Sequence, residues 1–311
     1  MSNIIFPESL QKDDKIAIIS PAGSVEESQL QTTLDLIVSK GYQPVLGKNA
    51  LEKFQDGYSY AGNEAQRIED INWALNDSEI KAIWATRGGY GCQHLLEHIK
   101  LNDFKKNPKW YIGYSDNTAV QSFLLKKGFA SIHGQTIKTS SFGCSEESYD
   151  LIFDILKGEK LDYTFKSNSF NKKGNAEAQI VGGNLALIYA LLGTKYSFDF
   201  KDKILFIEDI GENFYALDRM LMSLELAGVF KVISGLIVGG MTNMGSETEN
   251  KAFEESFDPF AYHLIEHRLK DYDFPVLYDF PNGHIFDNRP IILGAEVELN
   301  IGKKSEVIFK S

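Results

Sequence analysis

Cysteine is almost absent: Cys92 and Cys144 are the only two in 311 residues, and they lack C-x-x-C spacing. A disulfide framework is thereby excluded, and a reducing compartment suits the chain. Positive charge is scarce as well. Thirty-two Lys and Arg stand against 43 Asp and Glu, a formal net charge of −11. The densest basic clusters, Lys105-Lys106 and Lys172-Lys173, are only pairs. Such a body is repelled by phosphate backbones and anionic lipid surfaces, so neither nucleic acid nor a membrane is expected as partner. No apolar run approaches the roughly 18 residues that could cross a bilayer. The opening residues Met1 to Glu8 carry neither a basic nor an apolar leader region, and a cytoplasmic location is expected. Nucleotide-binding signatures are missing too. No G-K-[ST] follows a glycine-rich turn, and Ser20-Pro21-Ala22-Gly23-Ser24 occupies the first strand–helix junction where G-x-G-x-x-G would stand.

What is present is a globular composition, 43% hydrophobic and 24% charged, without internal repeats. Short β-branched runs alternate with amphipathic segments through the first half. Lys15 to Ser20, Lys81 to Thr86, Trp110 to Ile112 and Ala130 to Ile132 read as strands. Leu30 to Val38, Glu64 to Leu75, a segment with Leu95, Leu96 and Ile99, and Thr118 to Lys127 read as helices. This alternation implies α/β architecture with a parallel sheet, whose ligands bind at the carboxyl ends of the strands. Polar residues dominate between Lys157 and Ala178, which divides the chain into a first domain at 1–160, a linker at 161–178 and a second domain at 179–311. The second half predicts helices at Leu185 to Leu192 and Tyr215 to Leu226. Its expected strands are Lys203 to Ile210, Gly235 to Gly239, Val276 to Phe280, Pro290 to Ile301 and Ser305 to Lys310, the last two an antiparallel pair.

The sharpest local signal is Ile112-Gly113-Tyr114-Ser115-Asp116-Asn117-Thr118, a serine between a strand and a helix start. That position thrusts a hydroxyl out of the strand end beside the open N–H groups of a helix, as a nucleophile requires. Asn117 replaces the second glycine of G-x-S-x-G, and helix capping by Ser115, Asp116 or Asn117 is an equally local reading. A base must accompany such a serine. Six histidines are available: His94, His98, His133, His263, His267 and His284. His133 ends a first-half strand, and His284 follows the turn Pro281-Asn282-Gly283. Glu208 and Asp209 close the apolar strand Leu205 to Ile210, where an unpaired carboxylate is costly and an imidazole is a good partner. The turn Arg87-Gly88-Gly89-Tyr90-Gly91 offers backbone donors to an oxyanion, and Arg87 a clamp for a carboxylate.

His263-Leu264-Ile265-Glu266-His267 matches H-x-x-E-H, the inverted zinc-peptidase pattern. Asp258 caps that helix and Pro259 opens it. Phe260, Ala261, Leu264, Ile265 and Leu269 define its apolar stripe, leaving His263, Glu266 and His267 on a polar face without a third ligand, so no metal is expected there.

Seven segments in order resemble the LD-carboxypeptidase family of serine peptidases, the muramoyl-tetrapeptide carboxypeptidases, over nearly the whole chain. They are Ser20-Pro21-Ala22-Gly23, Arg87-Gly88-Gly89-Tyr90-Gly91, Gly113-Tyr114-Ser115-Asp116, Gly182-Gly183-Asn184-Leu185, Phe206-Ile207-Glu208-Asp209-Ile210, Arg219-Met220-Leu221, and Gly283-His284 with Arg289. The resemblance implies a Rossmann-like parallel-sheet N-terminal domain and a mixed β/α C-terminal domain, with the active site between them. It implies Ser115 as nucleophile, His284 as base and Glu208, rather than Asp209, as the acid that orients it. Oxyanion donors would be the backbone of Asp116 and of the Gly88-Gly89 turn, Gly89 above all. It further implies a homodimer without cofactors that releases terminal D-alanine from murein tetrapeptides during cytoplasmic cell-wall recycling. A branch of the family instead confers immunity to microcin C by cleaving an aminoacyl nucleotide; its longer aromatic loop before Gly-Gly-Asn-Leu is short here, with only Phe165 and Phe170 between Phe165 and Ala178. An idle ligand-binding module on the same fold is the remaining alternative.

Overall fold

Ile16, Ala17, Ile18 and Ile19 are all buried, as a strand covered on both faces must be. The computed structural model describes residues 4–245 and 258–310; Met1 to Asn3, the start of the stretch read for a leader, lie outside the described residues. The chain separates into two units, Met1–Glu159 with Arg289–Ile291, and Lys160–Asn288 with Ile292–Ser311. Among the described residues no helix is long and apolar enough to cross a membrane.

The first unit contains β1 (Lys15–Ile19), α1 (Gln31–Ser39), β2 (Gln43–Leu46), the short hairpin strands β3 (Phe54–Gln55) and β4 (Ser59–Tyr60), and α2 (Glu64–Asn76). It continues through β5 (Ile80–Ala85), β6 (Trp110–Gly113), α3 (Thr118–Lys126), β7 (Ser131–His133) and α4 (Glu146–Lys157). Strands β2, β1, β5, β6 and β7 pair in that order, all parallel. Their carboxyl ends therefore share one edge, which gathers the loops starting at Ser20, Thr86, Tyr114 and Gly134. The expected helix through Leu95, Leu96 and Ile99 is only a single 3-10 turn, Cys92–Leu95. Asparagines of α2 explain the difference. Asn72 receives the Lys100 N–H and donates to the His98 carbonyl, and Asn76 donates to the Lys100 carbonyl, supplying partners that a helix would otherwise have provided.

The second unit contains β8 (Asp162–Lys166), β9 (Gly174–Asn184), α5 (Leu185–Leu191), β10 (Lys203–Ile210), α6 (Phe214–Leu226), β11 (Gly235–Thr242), α7 (Pro259–Leu269) and β12 (Val276–Leu277), then β14 (Glu296–Ile301) and β15 (Lys304–Lys310); β13 (Ile291–Leu293) starts in the segment Arg289–Ile291 that belongs to the first unit. Its seven-stranded sheet runs β12–β11–β10–β9–β14–β15–β8, and β13 extends the first sheet beyond β7. Strands β12 to β9 are parallel and β9, β14, β15 and β8 antiparallel, so the sheet is mixed. The stretch 161–178, expected as a linker, instead contains the edge strand β8 and the first residues of β9. Both alternate buried and less buried positions, which made them read as polar connection.

Two expected strands are interrupted by backbone that left-handed residues impose. Val276 to Phe280 pairs only as Val276–Leu277, because Asp279 turns at φ 64°. Pro290 to Ile301 divides at Gly294, φ 94°, into β13 and β14. On α7 the stripe also differs. Tyr262 is buried beside Ala261, Ile265 and Leu269, whereas Phe260 is 52% exposed, its ring 4.6 Å from that of Phe214.

Candidate active site

Ser115 sits immediately beyond β6 at φ 63°, one of the few non-glycine residues in the left-handed region. Such backbone costs on the order of 1–3 kcal/mol and persists only where the surroundings enforce it. Here they do so through Asn117. Its Oδ1 accepts from the buried Tyr111 hydroxyl at 2.7 Å, while its Nδ2 donates to the carbonyls of Tyr114 at 3.0 Å and Arg87 at 3.3 Å. The residue standing where a glycine was expected thus fastens the serine turn to the Arg87-Gly88-Gly89 turn. Gly113 leaves room for it, since a Cβ there would lie 2.8 Å from the Asn117 Cγ. The capping alternative is not what these side chains do: Asn117 makes no side-chain capping bond to α3, and Asp116 accepts the Cys92 N–H at 2.8 Å. Burial pushes the Asp116 carboxyl upward, against those Cys92 bonds.

Gly88 lies directly against the serine. A Cβ on it would stand 2.8 Å from the Ser115 Cβ, 2.9 Å from its Oγ and 3.3 Å from the Asp116 amide nitrogen. Gly89, at φ 112°, leaves no space for a Cβ because the Tyr58 hydroxyl occupies it. Arg87 is half-buried, and its Nη1 donates to the Ser24 carbonyl at 3.1 Å. Ser115, Asp116, Arg87, Gly88 and Gly89 are therefore one cluster at the carboxyl edge of the first sheet. Tyr58 carried no signal in the sequence, because it belongs to a hairpin too short to show periodicity.

In the second unit, Nδ1 of His284 lies 2.8 Å from Oε2 of Glu208. The carboxylate has no exposed surface and the imidazole side chain is 13% exposed. Burial alone would lower the His284 pKa; the charge of Glu208 and the hydrogen bond to it outweigh burial, and the group ends above its ordinary value. Gly283, at φ 122°, makes this approach possible, since a Cβ there would stand 2.9 Å from both Cβ and Oε2 of Glu208. Its N–H is held by Asn288 Oδ1 at 3.0 Å, and the His284 carbonyl accepts from the Thr242 hydroxyl at 3.2 Å.

The two adjacent carboxylates have separate partners. Asp209 accepts from Asn184 Nδ2 at 2.9 Å, from the Ala186 amide at the start of α5 at 2.9 Å and from its neighbour Ile210 at 2.8 Å. Burial, then the charge of Glu208, pushes Asp209 up to about 7. Register places Asn184 beside Glu208, so the Gly182-Gly183-Asn184 segment runs along the strand that carries both acids.

The other histidines lie elsewhere. His133 is buried with Nδ1 3.3 Å from Gln121 Oε1, and His94 Nε2 is 3.3 Å from the Tyr90 hydroxyl. His98 and His267 are exposed. His263 lies 3.4 Å from Glu266, and both are more than half exposed. Among the described residues no group of three or more His, Cys, Asp or Glu side chains is placed to hold a metal ion.

Comparison with known proteins covers both units. Residues 16–134 match the model of the LD-carboxypeptidase N-terminal domain, and residues 177–299 that of the LD-carboxypeptidase C-terminal domain. A Bacillus subtilis protein named "Probable murein peptide carboxypeptidase" is 31% identical over 314 residues, covering 97% of this chain and 93% of its own. The murein tetrapeptide carboxypeptidase of Pseudomonas aeruginosa is 25% identical, covering 89% of this chain and 90% of its own. Among solved structures, the muramoyltetrapeptide carboxypeptidase from Oxalobacter formigenes superposes with a TM-score of 0.81 at 25% identity, over 96% of this chain and 99% of that one. The microcin C7 self-immunity protein MccF, in its wild-type apo state, shares the fold with a TM-score of 0.84 at 22% identity, over 99% of both chains. The chain belongs to the LD-carboxypeptidase family, and it is a hydrolase.

Proposed function

We propose that the protein is a serine-type LD-carboxypeptidase that releases terminal D-alanine from murein tetrapeptides. The observation that carries this reading is the buried Glu208–His284 pair at 2.8 Å, which has the geometry of an acid orienting a catalytic base. In the reaction, Nε2 of His284 takes the Ser115 hydroxyl proton as Oγ attacks the carbonyl carbon of the L residue. The tetrahedral oxyanion is stabilised by the backbone N–H of Asp116 and that of Gly89. Collapse expels the amine of D-alanine, which receives its proton from the His284 imidazolium. Water, deprotonated by His284, then hydrolyses the acyl ester on Ser115. The names of the Bacillus, Pseudomonas and Oxalobacter relatives support murein peptides as substrate class. A homodimer at work in the cytoplasm belongs to the same reading.

The likeness to MccF favours a second substrate, an aminoacyl nucleotide cleaved by the same residues. Against it, Phe165 and Phe170 are engaged within their own unit: Phe165 packs with Tyr163 and Phe280, and Phe170 with Tyr262, His263 and Tyr278. The test is incubation with a murein tetrapeptide and, separately, with an aminoacyl sulfamoyl or phosphoramidate nucleotide. D-alanine release that persists in EDTA and disappears with Ser115→Ala supports the proposal. Full activity of Ser115→Ala, or cleavage of the nucleotide alone, overturns it.

A further inference from the structure

An exopeptidase must tell a chain end from an internal bond, and the chemical difference is a free carboxylate one residue beyond the scissile carbonyl. The protein as a whole, at −11, is a poor host for it. The carboxyl edge of the first sheet does carry cations. Thr86 and Arg87 follow β5 there, and the Thr86 carbonyl accepts the N–H of Lys138, from the loop after β7, at 2.8 Å. Two cationic residues are thus brought to the carboxyl ends of β5 and β7, the strands on either side of β6. The next residue after Arg87, Gly88, is the one pressed against Ser115.

We propose that Arg87 and Lys138, together with the Tyr58 hydroxyl, form the subsite that takes the C-terminal carboxylate of the peptide; the assignment rests on the peptidase reading above. The guanidinium is held in place by its bond to the Ser24 carbonyl. A Cβ on Gly23 would lie 2.8 Å from the Tyr58 hydroxyl and 3.0 Å from Arg87 Nε, so hydroxyl and guanidinium flank one point that glycine keeps open. The β3–β4 hairpin that carries Tyr58 is tied to the same loop by the Ser24 amide on the Ser59 carbonyl at 3.0 Å and by the two serine hydroxyls at 2.7 Å. Lys138 is half-buried, and burial followed by the charge of Arg87 lowers its pKa. Glu26 partly offsets this, and an arriving carboxylate is attracted by both cations. Arginine supplies a fork for bidentate bonding, lysine a point charge and tyrosine a donor.

The test uses full-length Ser115→Ala protein and calorimetry with two peptides, a murein tetrapeptide with a free C-terminus and the same peptide as its C-terminal amide. The acid is expected to bind about tenfold or more tightly than the amide. Adding Lys138→Gln or Arg87→Gln removes most of that preference by weakening the acid more than the amide, and Lys138→Arg restores it. Thermal melting of each variant separates this from misfolding, because a folding defect weakens both peptides together. The proposal is overturned if acid and amide bind alike, if the preference survives both substitutions, or if neither peptide binds. Failure of the peptidase reading registers separately, as absence of D-alanine release by unsubstituted protein that still discriminates acid from amide.

Discussion

Glu208 holds His284 by a hydrogen bond, Nδ1 to Oε2 at 2.8 Å, from a position with no exposed surface. A carboxylate so placed is strongly destabilised unless a cation or donor answers it, and the imidazole N–H is that answer. A carboxylate oxygen accepts, so in the neutral imidazole the proton sits on Nδ1 and Nε2 is left as the acceptor.

This pairing predicts the pH dependence. His284 must be neutral to act as a base, and its pKa is raised above the ordinary 6.5, so the acidic limb of kcat/KM is expected above that value. Glu208→Gln removes the charge that overcomes burial, so the limb should move to lower pH while kcat falls by about three to four orders of magnitude. A pH–rate profile of both proteins checks this, and an unmoved limb would contradict it.

Asp209 predicts a stability effect of definite sign. Its pKa is pushed from the ordinary 3.8 to about 7, so the folded protein keeps a proton that the unfolded chain has released. Stability therefore declines as pH climbs between these values, by an amount on the order of a few kcal/mol. His284 acts in the same direction over a later window. Its pairing contributes fully below 6.5, and the contribution is lost as pH rises through the raised folded value. Urea midpoints at pH 5 and pH 8 should differ, the latter lower, and Asp209→Asn should narrow the gap.

Gly88→Ala tests the space beside Ser115. Gly88 is not in the left-handed region, so alanine strains no backbone. The added methyl instead stands 2.9 Å from Ser115 Oγ and 3.3 Å from the Asp116 nitrogen, within the space where an oxyanion would form. Activity is expected to drop about 100-fold or more, while the overpacking against Ser115, without backbone strain, lowers Tm by less than in Gly283→Ala. Steady-state kinetics beside a melting curve tests the pair of outcomes.

How much was readable beforehand depended on the range of the interactions involved. Strand Lys203–Ile210 appears in the structure at the residues the sequence indicated, because a run of buried apolar residues is a local pattern. The serine turn was equally legible, being written in consecutive residues from Gly113 to Thr118. By contrast β8 and the start of β9 read as a linker, since a strand with one wet face needs its partners, here β15 and β14, to be recognised. The helix expected after Gly91 failed for a similar reason: Asn72 and Asn76, some twenty-five residues upstream, take its backbone groups. Asn117 was visible only as a departure from G-x-S-x-G, and its three bonds depend on Tyr111 and Arg87 coming together in space. Likewise, the contact of Tyr58 with Gly89 leaves no trace in composition or periodicity.

Gly283→Ala provides the counterpart to Gly88→Ala, because here the backbone itself resists. Gly283 stands at φ 122°, which an L side chain rarely adopts, and its Cβ would lie 2.9 Å from both Cβ and Oε2 of Glu208. The neighbour cannot yield, since Glu208 is buried within β10, between β9 and β11. Strain and overpacking together should cost roughly 2–4 kcal/mol, lowering Tm by several degrees. The turn must also move His284 away from the carboxylate, so the imidazole loses the partner that raises its pKa. Activity and stability should therefore fall together, and the His284 titration, followed by NMR, should shift downward. A variant that kept full stability and the raised His284 titration would show that Glu208 is held in place by something other than the room that Gly283 leaves.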